Sequence, residues 1–596
     1  MKLLVGDEIS AVRHIFHYMR KHLGTSVLGV AAKTAATFGE LMIPYILEHV
    51  IDHVVPEGDF RPVIFWGILM ILTAVVVRWS NIFGNTLSVK VAKNCSQEMR
   101  QDLFVRTQQL SGNQIDDLGL PSLISRMTSD SYNIQNFIST ILSMGIRQPI
   151  MLIGGIAVTL SMDAALASIL CIMAPILLAC VICISWHGIP LYSIVQQRLD
   201  DVVRIMRENI TGIRVVKALS KSSYEKTRFQ ESNRRMTESD LKASIVMAIP
   251  GPAVQMCLNM GLVLVVVLGA HRVNRGEMEP GVILAFLTYF TMIINSIMAL
   301  NRMFILTSKA SASARRIGQV LETEDDQPIL PVSEELTKDN GAVLEFDHVS
   351  FTHAAHATAE DGAFAGEQRA KCLDDICFTL NRGETLGIIG ATGAGKTTIV
   401  NLLMRFYDVN EGRVLVEGRD VRTYDKQKLR EKFGVVFQND CVFAESLRDN
   451  VNMGRGYTDE AVWGAAEDAM AATYMREKPD QLDYMADIKG ANLSGGQKQR
   501  LFITRALVGD PEILILDDSS SALDYKTDAA LRRNIRARRE DAALIIVAQR
   551  ISSIMNSDQI LVLEEGRIIG CGKHDELLKN CPVYGDIYQS QMGDLA

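Results

Sequence analysis

Nine consecutive residues, Gly390-Ala391-Thr392-Gly393-Ala394-Gly395-Lys396-Thr397-Thr398, match the pattern G-x-x-x-x-G-K-[ST] at every fixed position. That spacing suits a polyphosphate. Glycines let the backbone turn tightly enough for successive N–H groups to face phosphate oxygens, and the helix that follows adds the positive end of its dipole. Lys396 has the reach for β- and γ-oxygens, and the Thr397 hydroxyl suits Mg2+. A second run, Ile513-Leu514-Ile515-Leu516-Asp517, ends an apolar stretch in a carboxylate, the arrangement that holds a Mg2+-bound water beside such a loop. Both groups need strands to place them: Glu384–Gly390 reads as a short apolar strand entering the loop, and Ile513–Leu516 as a second, together implying an α/β domain.

A third run is more specific. Leu493-Ser494-Gly495-Gly496-Gln497, followed by Lys498-Gln499-Arg500, resembles the signature of the ATP-binding-cassette (ABC) transporter family. The resemblance extends to Gln438 in Val435-Val436-Phe437-Gln438 and to Ser521-Ala522-Leu523-Asp524, and covers nearly the whole chain. It implies that ATP and Mg2+ are the ligands, that Gln438 joins Thr397 and Asp517 around the metal, and that two nucleotide-binding domains stack head to tail. Ser494, Gly495, Gly496 and Gln497 then act in trans, over the γ-phosphate held by a partner's loop.

Three positions depart from the family pattern. After Asp517 the family has a glutamate that positions or deprotonates the attacking water; this chain has Asp518, one methylene shorter. General-base catalysis contributes about 10²- to 10⁴-fold and depends on hydrogen-bond reach, so Asp518 is a weak substitute. Gln549, after Leu544-Ile545-Ile546-Val547-Ala548, stands in place of the switch histidine; it can hydrogen-bond a γ-phosphate but carries no charge. His353, two residues after Phe351, stands where the family stacks an aromatic on adenine, and imidazole stacks over less area or is a surface histidine with no ligand. Coincident loss of glutamate and histidine resembles the degenerate site of a heterodimeric exporter; independent drift in a working ATPase is the alternative.

The first half of the chain is different material. Hydrophobic residues make up 48% of the 596 residues, and mean hydropathy is +0.13, high for a soluble protein. The apolar residues concentrate in six segments, roughly 24–52, 61–87, 137–160, 162–190, 244–272 and 278–308. Each exceeds the roughly 20 residues a bilayer crossing needs. The connection between the fourth and fifth carries Arg198, Arg204, Arg207, Arg214, Lys217 and further basic residues, while the short connection at 52–61 is mainly acidic. The basic side belongs in the cytoplasm, which places both termini there. Asp7 and Glu8 interrupt any leader-like apolar core, and Ile9–Leu23 reads as an amphipathic interfacial helix.

Long charged connections after the second and fourth spans read as helical extensions. Gly119–Arg126 resembles the first intracellular loop of exporter half-transporters, and Ser220–Phe229 falls where their second coupling helix docks on the opposite cassette. Within the spans, Lys33, Glu40, Arg78, Arg147, Gln255, Asn259 and Asn295 are costly against lipid and belong toward a cavity or one another. Glu40 is a candidate for a cationic or amphipathic substrate, or for pairing with Lys33 or Arg147. Pro250-Gly251-Pro252 interrupts the fifth span. Ten cysteines without paired spacing give no disulfide framework, and a net charge of −8 gives no footprint for nucleic acid.

The expected organisation is multidomain: an interfacial helix at 1–23, an all-α six-span domain of the type IV (type I exporter-like) kind at 24–308, a linker at 309–341, and an α/β P-loop nucleotide-binding domain at 342–596. The expected function is ATP-driven export of a hydrophobic or amphipathic compound across a bacterial cell membrane, with a homologous half-transporter bearing the intact glutamate and histidine as partner. An ATP-gated regulator or channel, or an importer on the exporter scaffold, is the alternative.

Overall fold

The computed structural model describes residues 13–333, 337, 341–353, 371–519 and 522–593. The chain divides into two compact units, one formed by the chain up to Gln108 with Pro121–Thr323, the other by Gln109–Leu120 with Glu324–Ala596.

The first unit is built from long helices. Among the described residues, five helical runs, 23–57, 60–109, 120–162, 222–274 and 280–321, are long and apolar enough to cross a membrane. The fourth expected span lies in the helix Ala164–Thr211, whose described apolar part is Ala164–Leu177. Phe60–Gln109 exposes Phe65, Ile68, Ile71, Leu72, Val75, Val76 and Trp79. Lipid tails are the solvent in which such a surface is stable, and a helix satisfies its own backbone there. Pro280–Leu321 instead buries Phe286, Tyr289, Phe290, Ile293 and Ile297, the stripe of an α-helix facing protein, and the Tyr289 hydroxyl donates to Leu41 O at 2.6 Å.

Two of the expected spans are interrupted. The third divides into Ser131–Met144 and Arg147–Met162. Pro149 has no N–H to continue the ladder and is tolerated only in the first turn of a helix, so the chain restarts at Arg147. The fifth breaks at Ile249, with Pro250 at the first position of Pro250–Asn274. Of the interfacial helix expected at the N-terminus, residues 13–21 are helical, Ile15 and Tyr18 are buried, and the Tyr18 hydroxyl donates to Asp102 at 2.9 Å; residues 1–12 lie outside the described residues.

The expected linker boundary needs correction. Residues 309–321 are the last turns of Pro280–Leu321. Ala310, Ser313, Ala314, Ile317 and Val320 are buried at helical spacing. Asp130, itself buried, accepts from Ser313 Oγ and Arg316 Nε, each at 2.8 Å, which pins this tail. The charged residues suggested a linker from 309; the partner of Ser313 and Arg316 lies far away in sequence.

The second unit holds two sheets. An antiparallel sheet has the order β2-β1-β4-β5, with β1 Leu344–Phe351, β2 Leu373–Leu380, β4 Glu411–Val416 and β5 Arg419–Asp420. A mixed sheet has the order β10-β9-β3-β8-β7-β6, with β3 Thr385–Gly390, β6 Phe433–Val436, β7 Ile513–Asp517, β8 Ala543–Val547, β9 Gln559–Glu564 and β10 Arg567–Gly572. Strands β6, β7, β8, β3 and β9 run parallel, and β7 and β8 are buried throughout, as continuous apolar runs in a covered parallel sheet should be. Val547 is level with both Ile388 and Asp517, so β7 and β8 end together and β3 runs two residues further, to Gly390. Ligand sites of open α/β sheets form at such carboxyl ends.

Candidate nucleotide site

The turn from β3 into the helix Lys396–Leu403 makes the cradle. Gly393 and Gly395 have φ of +86 and +98, left-handed values that a side chain disfavours. A Cβ on Gly395 would also lie 2.6 Å from Leu373 Cδ2 and 2.8 Å from Cys372 O, so a glycine is required twice over. Lys396 Nζ donates to Gly390 O and Ala391 O, each at 2.8 Å, which holds it over the loop. Burial lowers the Lys396 pKa, and the carboxylates of Asp517 and Asp518 oppose that shift.

A cavity of about 180 Å³ opens here, lined by Thr392, Gly393, Gly395, Lys396, Thr397, Thr398, Gln438, Asp517, Asp518 and Gln549, with Cys372, Val547 and Ala548. Most residues expected to touch nucleotide or metal are therefore in one place. Gly390, Ala391 and Ala394 support the loop without lining the cavity. Cys372 was not anticipated; its N–H donates to Phe351 O at 2.8 Å, an inter-strand contact that sequence spacing does not reveal.

Asp517 is 2% exposed, its side chain accepts from the Thr397 hydroxyl, and its Oδ2 is buried without a hydrogen-bond partner. An orphaned carboxylate oxygen beside a threonine hydroxyl fits a Mg2+ site held by Thr397, Asp517 and Gln438. When bound, Mg2+ supplies neutralisation of charge on β- and γ-oxygens. Burial, reinforced by the charge of Asp518, pushes Asp517 up to about 6 even though Thr397 and Lys396 pull it down.

Asp518 follows β7 with φ of +50, and its N–H continues the sheet by donating to Val547 O at 2.9 Å. Gln549 Nε2 lies 3.4 Å from Asp518 Oδ2, so the two departures from the family pattern touch each other. Burial raises the Asp518 pKa, opposed by Lys396 and Arg550. Gln591, in the helix Pro582–Met592, holds this segment from behind: its amide donates to Gln549 O and accepts from Ile551 N–H, each at 2.8 Å.

His353 does not line the cavity. Its ring stands edge-on to Phe351 and to Tyr407, with centroids 4.9 Å away in each case. Ser494–Gln497 are likewise outside it. Ser494 caps the 13-residue helix Gly495–Leu507, accepting from Gln497 N while Gln497 Oε1 accepts from Ser494 N–H at 3.0 Å. Ser494 and Gly495 are exposed, leaving a preformed helix N-terminus open to an anion from outside. Ser521 lies outside the described residues.

One element of this unit comes from far earlier in the chain. The helix Gly112–Leu118 has a capping box between Ser111 and Gln114. Gly112 N–H donates to Phe406 O at 2.9 Å, the Tyr407 hydroxyl donates to Asp116 Oδ2 at 2.8 Å, and Ser111 Oγ donates to Asp326 Oδ2 at 2.8 Å. Arg405, fully buried, fixes the receiving turn by donating to Asp408 at 3.0 Å and to Pro328 O at 2.8 Å. The expected loop motif at Gly119–Arg126 thus begins just after the docked helix.

Residues 26–297 match the family described as the ABC transporter transmembrane region, and residues 373–521 the family described as ABC transporter. The chain is 32% identical over 556 residues to YfiB of Bacillus subtilis, an uncharacterized ABC transporter ATP-binding protein, covering 93% of this chain and 94% of that one. The chain belongs to the ABC transporter family. A second relative, the uncharacterized ABC transporter ATP-binding protein Rv1273c of Mycobacterium tuberculosis, is 31% identical over 567 residues, again covering 93% and 94%. A solved bacterial Atm1-family ABC exporter with ATP bound superposes with a TM-score of 0.78 at 22% identity, covering 97% of this chain and 99% of that one. This ABC transporter therefore has the exporter fold, a helical transmembrane domain followed by a nucleotide-binding domain with mixed sheets, in a multi-pass membrane protein. Its ABC ATPase domain implies ATP binding and hydrolysis coupled to transport.

Proposed function

We propose that the chain is one half of a heterodimeric exporter, binding ATP and Mg2+ in a site that hydrolyses slowly and presenting an intact signature to the competent site of a sister chain. The observation carrying this reading is the contact between Asp518 and Gln549 in the cavity that also holds Lys396, Thr397 and Asp517.

The residues divide by role. Gly390–Thr398 cradle the triphosphate and Lys396 faces its terminal oxygens, whereas His353, packed edge-on against Phe351 and Tyr407, has no assigned ligand role. Asp518 is the weak base and Gln549 the neutral phosphate contact, while Gln438 senses the attacking water. Ser494, Gly495, Gly496 and Gln497 complete the sister's site. Closure of the two cassettes around ATP drives the transport cycle, and hydrolysis at the sister's site resets it.

Hydrophobic or amphipathic cargo is favoured by the polar groups among the spans, which already serve one another. Arg147 Nη2 donates to Glu40 Oε2 at 2.7 Å, Asn81 Nδ2 to Glu40 Oε1 at 2.9 Å, and Lys33 Nζ to Asn81 Oδ1 at 3.0 Å. Glu40 is thus paired rather than held ready for a cation. Leu219 and Tyr224, exposed near the start of Ser222–Ala248, suit docking on the sister's cassette. The cytoplasmic side of the nucleotide-binding domain is supported by the basic connection of residues 198–242, and a bacterial cell membrane by the bacterial relatives.

The test is Mg-ATP hydrolysis by the purified chain alone and with its sister. Near-zero turnover alone, restored by the sister and lost on Ser494→Arg in this chain, is the expected result. Brisk turnover by the unmutated chain alone overturns the heterodimer.

A further inference from the structure

In a regular antiparallel ladder, successive side chains alternate between faces. Continuing the register from the pair Phe346–Phe378 would set Asp347 against Cys377 and His348 against Ile376, leaving His348 on the opposite face from Cys377. The strands depart from that register. The pair after Phe346–Phe378 is Val349–Ile376, so Asp347 and His348 together oppose Cys377 in a bulge, and His348 takes φ of +50. A second bulge of opposite sense follows, because the next pair is Phe351–Leu373; Asp374 and Asp375 there oppose Ser350, and Asp375 takes φ of +55.

The paired bulges gather three chemically distinct side chains on one exposed face. His348 Nδ1 lies 2.6 Å from Asp375 Oδ1, and the His348 N–H donates to Cys377 Sγ at 3.2 Å. The imidazole, carboxylate and thiol donor atoms all lie within 4.8 Å of one another. None of these residues lines the nucleotide cavity.

We propose that His348, Asp375 and Cys377 form a binding site for a divalent cation of the zinc class, separate from the Mg-ATP site, with a fourth position for water or an exogenous ligand. One nitrogen, one sulfur and one oxygen donor make a borderline-soft set, suited to Zn2+ and unsuited to Mg2+ or Ca2+, which take oxygen. Thiolate and carboxylate together balance the charge of a divalent ion. Zinc bonds of about 2.0–2.3 Å in tetrahedral geometry separate ligand atoms by roughly 3.3–3.7 Å, so the histidine and aspartate must part by about 1 Å. Both side chains are exposed, at 73% and 69%, so solvent rather than packed protein borders the adjustment. Binding releases the thiol proton of Cys377, whose sulfur already accepts an N–H. The ion then ties β1 to β2 across the bulge.

Cobalt reports on such a site through its thiolate-to-metal charge-transfer band and the visible bands of tetrahedral Co2+. The full chain, purified in detergent without a polyhistidine tag, is titrated with Co2+ beside Cys377→Ser, Asp375→Asn and His348→Asn. Asparagine tolerates the left-handed backbone at His348 and Asp375, so those variants keep the bulges and remove only ligands. Retained ATP binding serves as the check on folding. The wild type should bind one equivalent with a charge-transfer band that Zn2+ abolishes; Cys377→Ser should lose the band, and each asparagine variant should bind at least about tenfold more weakly. Absence of the band in the wild type, or an unchanged band and affinity in the variants, overturns the proposal.

Discussion

If the site is slow as proposed, replacing Asp518 by glutamate and Gln549 by histidine should convert it into a competent one. Asp518 Oδ2 is engaged by the Gln549 amide at 3.4 Å. One added methylene advances the carboxylate by about 1.3 Å, and a misplacement of about 1 Å in a reacting group costs about 10²-fold. That factor corresponds to about 2.7 kcal/mol in the barrier. Glutamate fits the left-handed backbone at this position less well than aspartate, at a cost of up to about 1 kcal/mol, but that falls on stability rather than on the chemical step. Histidine at 549 removes the amide that holds the carboxylate and adds a cation for the γ-phosphate. The lone chain carries both an intact P-loop and an intact signature, so a homodimer of the double variant contains complete sites. Its phosphate release at saturating Mg-ATP should exceed that of the unmutated chain by at least about 100-fold, with Asp518→Glu alone accounting for most of the gain. A double variant that binds ATP normally yet turns over within about threefold of the native chain would refute the argument from reach.

Cys372 lines the nucleotide cavity, so its alkylation by maleimide, mapped by mass spectrometry, should slow about tenfold with ATP at about ten times its Kd; equal labelling with and without nucleotide removes Cys372 from the site. Asp517 has its pKa raised to about 6, so the proton persists to a higher pH than on an ordinary aspartate and competes with metal. Mn2+ binding followed by electron paramagnetic resonance should be constant above pH ~7 and weaken about tenfold per unit below pH ~6; a flat profile down to pH ~4 excludes Asp517 as the ligand. In Gly112→Val the new Cβ would sit 2.7 Å from the Tyr407 ring, which should release the docked helix at a cost of about 1–3 kcal/mol. Hydrogen exchange at residues 111–118 should rise while ATP affinity holds, and unchanged exchange would show that the contact is not what seats the helix.

The cradle, Asp517 and the signature were legible because each is a local device whose backbone demands are written in adjacent residues: glycines at left-handed positions, an acid closing a buried strand, a serine capping a helix. The break at Arg147 was not read from the sequence, which gave the third span as one segment, 137–160, although Pro149 lies inside it. Residues 309–321 were not, because what turns a charged stretch into a packed helix is Asp130, brought to Ser313 and Arg316 by tertiary folding. Cys372 and Gln591 reach the nucleotide site through sheet register and the docking of the last described helix, neither of which leaves a mark at fixed spacing. The docked helix Gly112–Leu118 did leave one, the Ser111–Gln114 capping box, but nothing in the sequence pairs it with Phe406 and Tyr407.

The grip of Gln591 on Gln549 and Ile551 has an experimental consequence. A single side-chain amide clasps the backbone on both sides of Arg550, so the switch segment and the helix Pro582–Met592 are mechanically one piece. Any shift of Gln549 toward or away from a phosphate drags that helix with it. A dye on exposed Ser590 would therefore watch the nucleotide from behind without touching the cradle, and give an optical record of each binding event.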